Sequence, residues 1–145
     1  MKFAGKDVRK GFYDALSGNI TYSGTSVDVF DLKAPKGTNK PFIILQSYTQ
    51  NGNSGTKQSF GANSTVGIKI VNGFETDIWE REPNDYIANA ITELVRPTTE
   101  GNGLTVTGFD VLKVNLQGSF DSSLQTDSEL LITTDLLFEL EINEQ

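Results

Sequence analysis

Twenty residues, Val27 to Gln46 (VDVFDLKAPKGTNKPFIILQ), constrain the fold of this chain more than any other stretch. They read as two strand runs joined by a short loop that carries Pro35, Gly37 and Pro41. The first run, Val27 to Leu32, is β-branched or aromatic at three of its six positions, which suits a pleated, half-buried surface. The second, Phe42-Ile43-Ile44-Leu45, is apolar on both faces, which predicts a central strand rather than an edge. Pro41 is expected at the first residue of that strand, where a missing N–H costs the ladder least.

The segments around this pair can be read by period and punctuation. Val8, Phe12, Ala15 and Leu16 fall on one helical stripe, so a helix is expected from Gly5 to Leu16, stopped by Ser17-Gly18-Asn19. Ile20 to Thr25 reads as a turn or irregular link. The polar stretch at about 47–64 reads as a long hairpin turning at Asn51-Gly52 or as a mobile loop. Thr65 to Val71 alternates as a strand, with a turn expected at Asn72-Gly73. Ile87, Ala90, Ile91, Leu94 and Val95 form the strongest helical stripe, with Asn84 or Asp85 available as its cap and Pro97 beyond its end. Leu104 to Val106 and Phe109 to Leu116 read as strands, with Gly108 a possible bulge, and Gln117 to Ser128 as a polar turn region. Leu130 to Ile142 reads as a one-sided strand, with Leu130, Ile132, Leu136, Phe138, Leu140 and Ile142 at one parity and Glu139 and Glu141 at the other. No internal repeat is present. The order predicts an α+β fold over residues 1–145 as one domain: a mainly antiparallel sheet with two helices packed on one face.

Composition excludes more chemistry than it supplies. The 145 residues include no cysteine and no histidine. Disulfides, thiolate nucleophiles, Ser-His-Asp triads and histidine-based zinc sites are therefore absent from this chain. A chain of this length buries roughly 68–70% of its unfolded surface, enough for one core without covalent staples. MKFAGKDVRK holds no apolar run of signal-peptide length, and no window approaches the ~20 apolar residues of a membrane span. The expectation is a protein made and kept in a cytoplasm unless it leaves inside a larger particle. The net charge of −7 opposes wrapping of DNA or an anionic membrane. That charge is uneven. Residues 1–40 hold seven cations (Lys2, Lys6, Arg9, Lys10, Lys33, Lys36, Lys40) against four acids, and no Lys or Arg follows Lys113. Two solvated faces of opposite bias explain this; so does a positive face that meets a negative face on a neighbouring copy.

Candidate chemical sites are few. Glu75, Asp77, Glu80, Glu82 and Asp85 form the densest acidic cluster, but their spacing matches no metal loop, and a solvated approach to a helix accounts for them. Gly52 to Lys57 lacks the spacing of a phosphate-binding loop. Trp79 and Tyr86 flank the second helix start, as a stacking platform for sugar or base or as ordinary packing. The sequence implies no catalytic residue, cofactor or metal.

With a helix before it and a strand, helix and two further strands after it, the segment Val29-Phe30-Asp31, Pro35, Gly37, Pro41-Phe42-Ile43-Ile44-Leu45 resembles the phage tail terminator or tail completion family. Asp31, Pro35, Gly37, Pro41 and Phe42 carry the resemblance, which covers most of the chain. It implies a non-enzymatic virion protein that forms a ring, six-fold in the family, at the head–tail junction. Such a ring terminates the tail tube and docks it to the head, after assembly in the host cytoplasm. The implied partners are further copies of the chain, the tail tube and head-closure or connector proteins, with DNA only as passing cargo and no membrane. By the same analogy Asn51, Gly52 and Lys57 would meet an adjoining ring or line the channel. The acidic side of the last strand (Glu139, Glu141) would suit a DNA conduit, and the basic first helix (Lys6, Arg9, Lys10) would meet an acidic neighbour. The segments 74–83 and 48–64 are longer than the family pattern. Neck or connector rings of short-tailed phages can share this fold, and a small glycan- or peptide-binding module using Trp79, Tyr86 and the polar loop is the alternative from another class.

Overall fold

The computed structural model describes residues 2–52, 61–75, 79–96 and 103–145. Its elements run α1 (Gly5–Leu16), β1 (Thr21–Tyr22), β2 (Thr25–Ser26), β3 (Asp28–Asp31), β4 (Phe42–Gly52), β5 (Gly61–Phe74), α2 (Glu82–Leu94), β6 (Phe109–Gln125) and β7 (Leu130–Glu144). Five strands form one sheet in the order β3-β4-β5-β7-β6, and β1 and β2 form a separate small hairpin. All neighbours in the sheet are antiparallel except β3 and β4, which run parallel. The result is an α+β fold with both helices on one face of the sheet.

Period explains the layering. Even-numbered positions of β5 and β7 point to the helices: Val66, Ile68 and Ile70 on one, Leu136, Phe138, Leu140 and Ile142 on the other, all buried. Ile43 and Leu45 of β4 join them. Val8, Phe12 and Leu16 of α1 and Ile87 and Ile91 of α2 close this core from above, and the Phe12 and Phe138 rings meet at 6.1 Å between centroids. Fully burying each aliphatic or Phe side chain contributes roughly 1.5–3 kcal/mol, so this two-layer contact holds the fold together. A bulge between Leu45 and Ser47 shifts the parity of β4 and turns Tyr48 towards the helix side. There its hydroxyl lies 2.8 Å from both Gln50 Oε1 and Ser64 Oγ, and Phe3 meets its ring edge-on. The amide of Ala4 donates to the same Gln50 oxygen, so the end of β4 anchors the entry to α1.

Several expectations change. Asn72 and Gly73 do not turn the chain; they pair with Ile132 and Leu131, and β5 continues to Phe74. Cross-strand pairing outweighs local turn propensity there. A Cβ on Gly73 would come within 3 Å of Lys40 and Glu129 side-chain atoms, so glycine leaves room for their 2.9 Å ion pair. Gln117 to Gln125 is strand rather than turn, paired along β7, and only Thr126 to Glu129 reverses the chain. Leu104 to Val106 forms no named strand; Val106 bridges to Phe109, and the Leu104 N–H donates to the Arg96 carbonyl. Gly108, at φ +82°, belongs to the tight turn before β6, and the bulges lie at Val111/Lys113 and Leu116/Gly118. Ile20 to Thr25 is not an irregular link: it holds most of the β1–β2 hairpin, which ends at Ser26. Pro41 precedes β4 rather than opening it. Of the polar stretch 47–64, both flanks continue β4 and β5 as a hairpin in register to Gly52 and Ala62; residues 53–60 lie outside the described residues.

α2 begins without a side-chain cap. Asp85 is exposed and Asn84 is buried, because its side chain points at the sheet. Asn84 Nδ2 donates to the Ile132 carbonyl and to Thr134 Oγ1, both at 3.2 Å, and Thr134 donates onward to Asp121 Oδ1 at 2.8 Å. This chain of polar groups ties α2 through β7 to β6.

Candidate functional site

Among the described residues, the sheet ends in β3 on one side and β6 on the other, and the helices cover one of its faces. Leu112, Leu116, Phe120 and Leu124 on the edge strand β6 are large, apolar and exposed, Phe120 by 65% and Leu124 by 62%. Edge strands of soluble proteins are usually short or guarded by charge, whereas β6 runs for 17 residues with a single lysine, Lys113. The sequence hid this surface because Gly, Ser and Gln fill the positions between the apolar residues. The detectable signal was the apolar residues at 112, 116, 120 and 124, four apart.

The face opposite the helices is graded. Phe120 and Leu124 on β6 and Leu131 and Leu137 on β7 gather towards one end. Gly67 and Gly118 flank Leu137 in the same cross-strand row, leaving a shallow depression bordered by Phe120, Ser47 and Asp135. Asp135 Oδ1 is shielded from solvent there without a hydrogen-bond partner. The other end is polar. Asn51, Asn63, Glu141 and Lys113 form one cross-strand row; Thr49, Thr65, Glu139 and Asn115 form the next. The fold therefore brings Asn51, Glu139 and Glu141 together on the open face, with Gly52 beside them at the strand end. Lys57 lies outside the described residues.

The basic helix residues lie elsewhere. Lys6, Arg9 and Lys10 line a shallow groove with Tyr13, Asp31 and Leu45, between α1 and the β3 side of the sheet. Lys10 is tied to Asp14 at 2.6 Å, and this hydrogen bond raises its pKa. Asp31 thus joins the cationic groove, while Glu139 and Glu141 sit on the opposite face. Pro35 and Gly37 shape the β3–β4 connection, where Thr38 N–H donates to the Pro35 carbonyl and Gly37 adopts φ +83°. Phe42 is buried, its ring edge-on to Phe30 at 6.0 Å.

Trp79 and Tyr86 do not form a platform together. Tyr86 packs on Tyr22 at 5.4 Å, and Trp79 borders a separate groove with Arg81, Asp121 and Leu130. The Tyr22 hydroxyl donates to Glu82, which pushes its pKa up to about 12. Burial likewise raises Tyr48, against the opposing effects of its Ser64 hydrogen bond and nearby Arg9. Of the acidic cluster, Glu75, Glu80, Glu82 and Asp85 are exposed and Asp77 lies outside the described residues. Among the described residues no group of three or more His, Cys, Asp or Glu side chains is arranged to hold a metal ion, and no helix is long and apolar enough to cross a membrane.

No protein-family model matches the chain, and no curated protein does. A solved structure does: a chain from the virion of a native gene transfer agent particle superposes with a TM-score of 0.74 at 14% identity, covering 99% of each chain. At that identity the likeness establishes the fold.

Proposed function

We propose that this chain is a non-enzymatic virion structural protein that forms a ring at the head–tail junction of a phage-like particle. There it terminates the tail tube and docks it to the head. The observation that carries this reading is the likeness in fold to a virion chain over 99% of each chain. An architecture matched over its whole length is what a small building block of a particle requires, and it agrees with one domain over residues 1–145. The surfaces agree as well: exposed apolar side chains and free strand edges are suited to other protein surfaces.

In this reading the ring is six-fold, its axial neighbours are the tail tube and a head-closure or connector protein, and DNA passes through it. Asn51 and Gly52 at the end of β4, with Lys57 of the connecting stretch in sequence, meet an adjoining ring or line the channel. Glu139 and Glu141, beside Asn51 on the open face, give a passing polyanion little to bind. The family positions Asp31, Pro35, Gly37, Pro41 and Phe42 shape the β3–β4 side that supports α1.

The test is electron microscopy of particles produced without this gene. Filled heads beside detached or overlong tails are expected. Empty, leaking heads without tails would move the protein to the neck of a short-tailed particle. Normal infectious particles would overturn the junction role and bring forward a glycan- or peptide-binding module.

A further inference from the structure

We propose that the groove between Trp79 and β6 is a binding site for a short saccharide. The inference goes beyond the junction role and does not rest on it. It is argued from the side chains that line the groove and from how they are held.

The groove lies on the helix side of the sheet. Asp121 and Ser123 of β6 pair across strands with Thr134 and Ile132, which are buried on that side, so their side chains project there too. Ile132 and Leu130 add apolar surface, and Trp79 and Arg81 come in from the segment before α2. The groove has a volume of about 320 Å³, at the small end of the roughly 300–1,000 Å³ of ligand pockets. Asp121 is fixed from behind. Thr134 donates to its Oδ1 at 2.8 Å, and Asn84 Nδ2 holds the Thr134 hydroxyl at 3.2 Å. The second carboxylate oxygen has no partner among the described residues. Arg81 lines the same groove, yet the two form no ion pair, and the Arg81 side chain bonds to no described residue.

This donor set selects its ligand. A plain anion would meet Asp121 and a plain cation would meet Arg81, so each is opposed by its own charge. A neutral ligand rich in hydroxyl groups accepts from Arg81 and donates to Asp121 at once, and both bonds are charge-assisted. The Ser123 hydroxyl either donates or accepts. Trp79 is 59% exposed and stacks on no described ring. Its indole offers a flat apolar face to the C–H side of a sugar ring. A saccharide carries both patterns on one ring, a rim of hydroxyls and an apolar C–H face. Because Asp121 is already oriented by Thr134 and Asn84, little ordering remains to be done on binding.

Trp79 is the only tryptophan of the chain, so its fluorescence reports on this groove. The whole chain is titrated with neutral, N-acetylated and acidic oligosaccharides at millimolar concentration, with calorimetry in parallel. A saturable change in emission with at least one of them, matched by a binding heat, is the expected result. Trp79→Ala and Arg81→Gln then test the site. Neither side chain bonds to a described residue, so both variants should keep native circular dichroism. Each should weaken binding, read by calorimetry, by about tenfold, the scale of one charge-assisted hydrogen bond or one stacked ring. No response to any of the oligosaccharides would overturn the proposal. So would binding that both variants retain unchanged, which would put the saccharide elsewhere. A response to a lysyl-glutamate dipeptide with none to the sugars would make the groove a peptide site and overturn it as well. Particle imaging reads the junction role without any sugar, so each proposal can fail alone.

Discussion

Asn84 shows how one side chain joins three elements. Inside the first turn of α2 it hydrogen-bonds the β7 backbone at Ile132 and the Thr134 hydroxyl, which in turn bonds Asp121 of β6. Asn84→Ala removes both Nδ2 hydrogen bonds, while Thr134 keeps its bond to Asp121 and the unpartnered Asn84 Oδ1 is removed as well, so we expect a loss of about 0.5–1.5 kcal/mol in urea unfolding, the net scale of such bonds. An unchanged unfolding midpoint would show that the linkage carries no stability. Tyr22 sets a different dependence. Its folded pKa of about 12 lies above the ordinary value of 10.0, because the neutral phenol donates to Glu82 and ionisation would set two anions together. A raised pKa means stabilisation that is complete below the unfolded value and lost as pH climbs through the folded one. The stability difference between wild type and Tyr22→Phe should therefore shrink between about pH 10 and 12. A difference that stays constant across that window would contradict the Tyr22–Glu82 bond.

At the scale of elements, the balance is between local propensity and packing. Gly11 weakens α1 as an isolated helix, yet a Cβ there would meet the Thr105 carbonyl oxygen at 2.6 Å. Ala would add up to about 1 kcal/mol of helix propensity but force α1 and the 104–106 segment apart. Overpacking of that kind costs typically 1–3 kcal/mol, so Gly11→Ala should lower the melting temperature; a rise would mean the segment yields freely. The same balance explains what was legible in the sequence. α1 spans Gly5 to Leu16 as its apolar stripe requires, and β7 buries the parity of Ile132, Leu136, Phe138, Leu140 and Ile142, because in both one buried face dictates the pattern. The second half of β6 was not legible. Its residues face solvent on both sides, so no burial period marks them, and their pairing with β7 is dictated by the partner strand. Asn84 misled for a related reason: a residue suited to capping a helix was used to satisfy the sheet.

At the scale of the whole molecule, topology converts a lopsided sequence into a two-sided object. A basic first third and an acidic last third would be unremarkable in a chain that mixed them in space. Here the order β3-β4-β5-β7-β6 keeps Lys6, Arg9, Lys33 and Lys36 towards the β3 side and most of the late acids on β6 and β7, while Lys2 and Lys40 reach Glu144 and Glu129. The open face adds a polar end beside the β4–β5 hairpin and an apolar end around Phe120 and Leu137. The candidate residues themselves were visible in the sequence, but their grouping was not. Periodicity fixes faces and leaves strand order open, so nothing in the sequence placed Asn51 beside Glu141 or Asp31 in the groove of Lys6 and Arg9. The central claim, a ring at the head–tail junction, is tested most directly by antibody-gold labelling of intact particles against this chain, viewed by electron microscopy. Gold confined to the point where head meets tail is the predicted result. Gold distributed along the tail or over the capsid would contradict it.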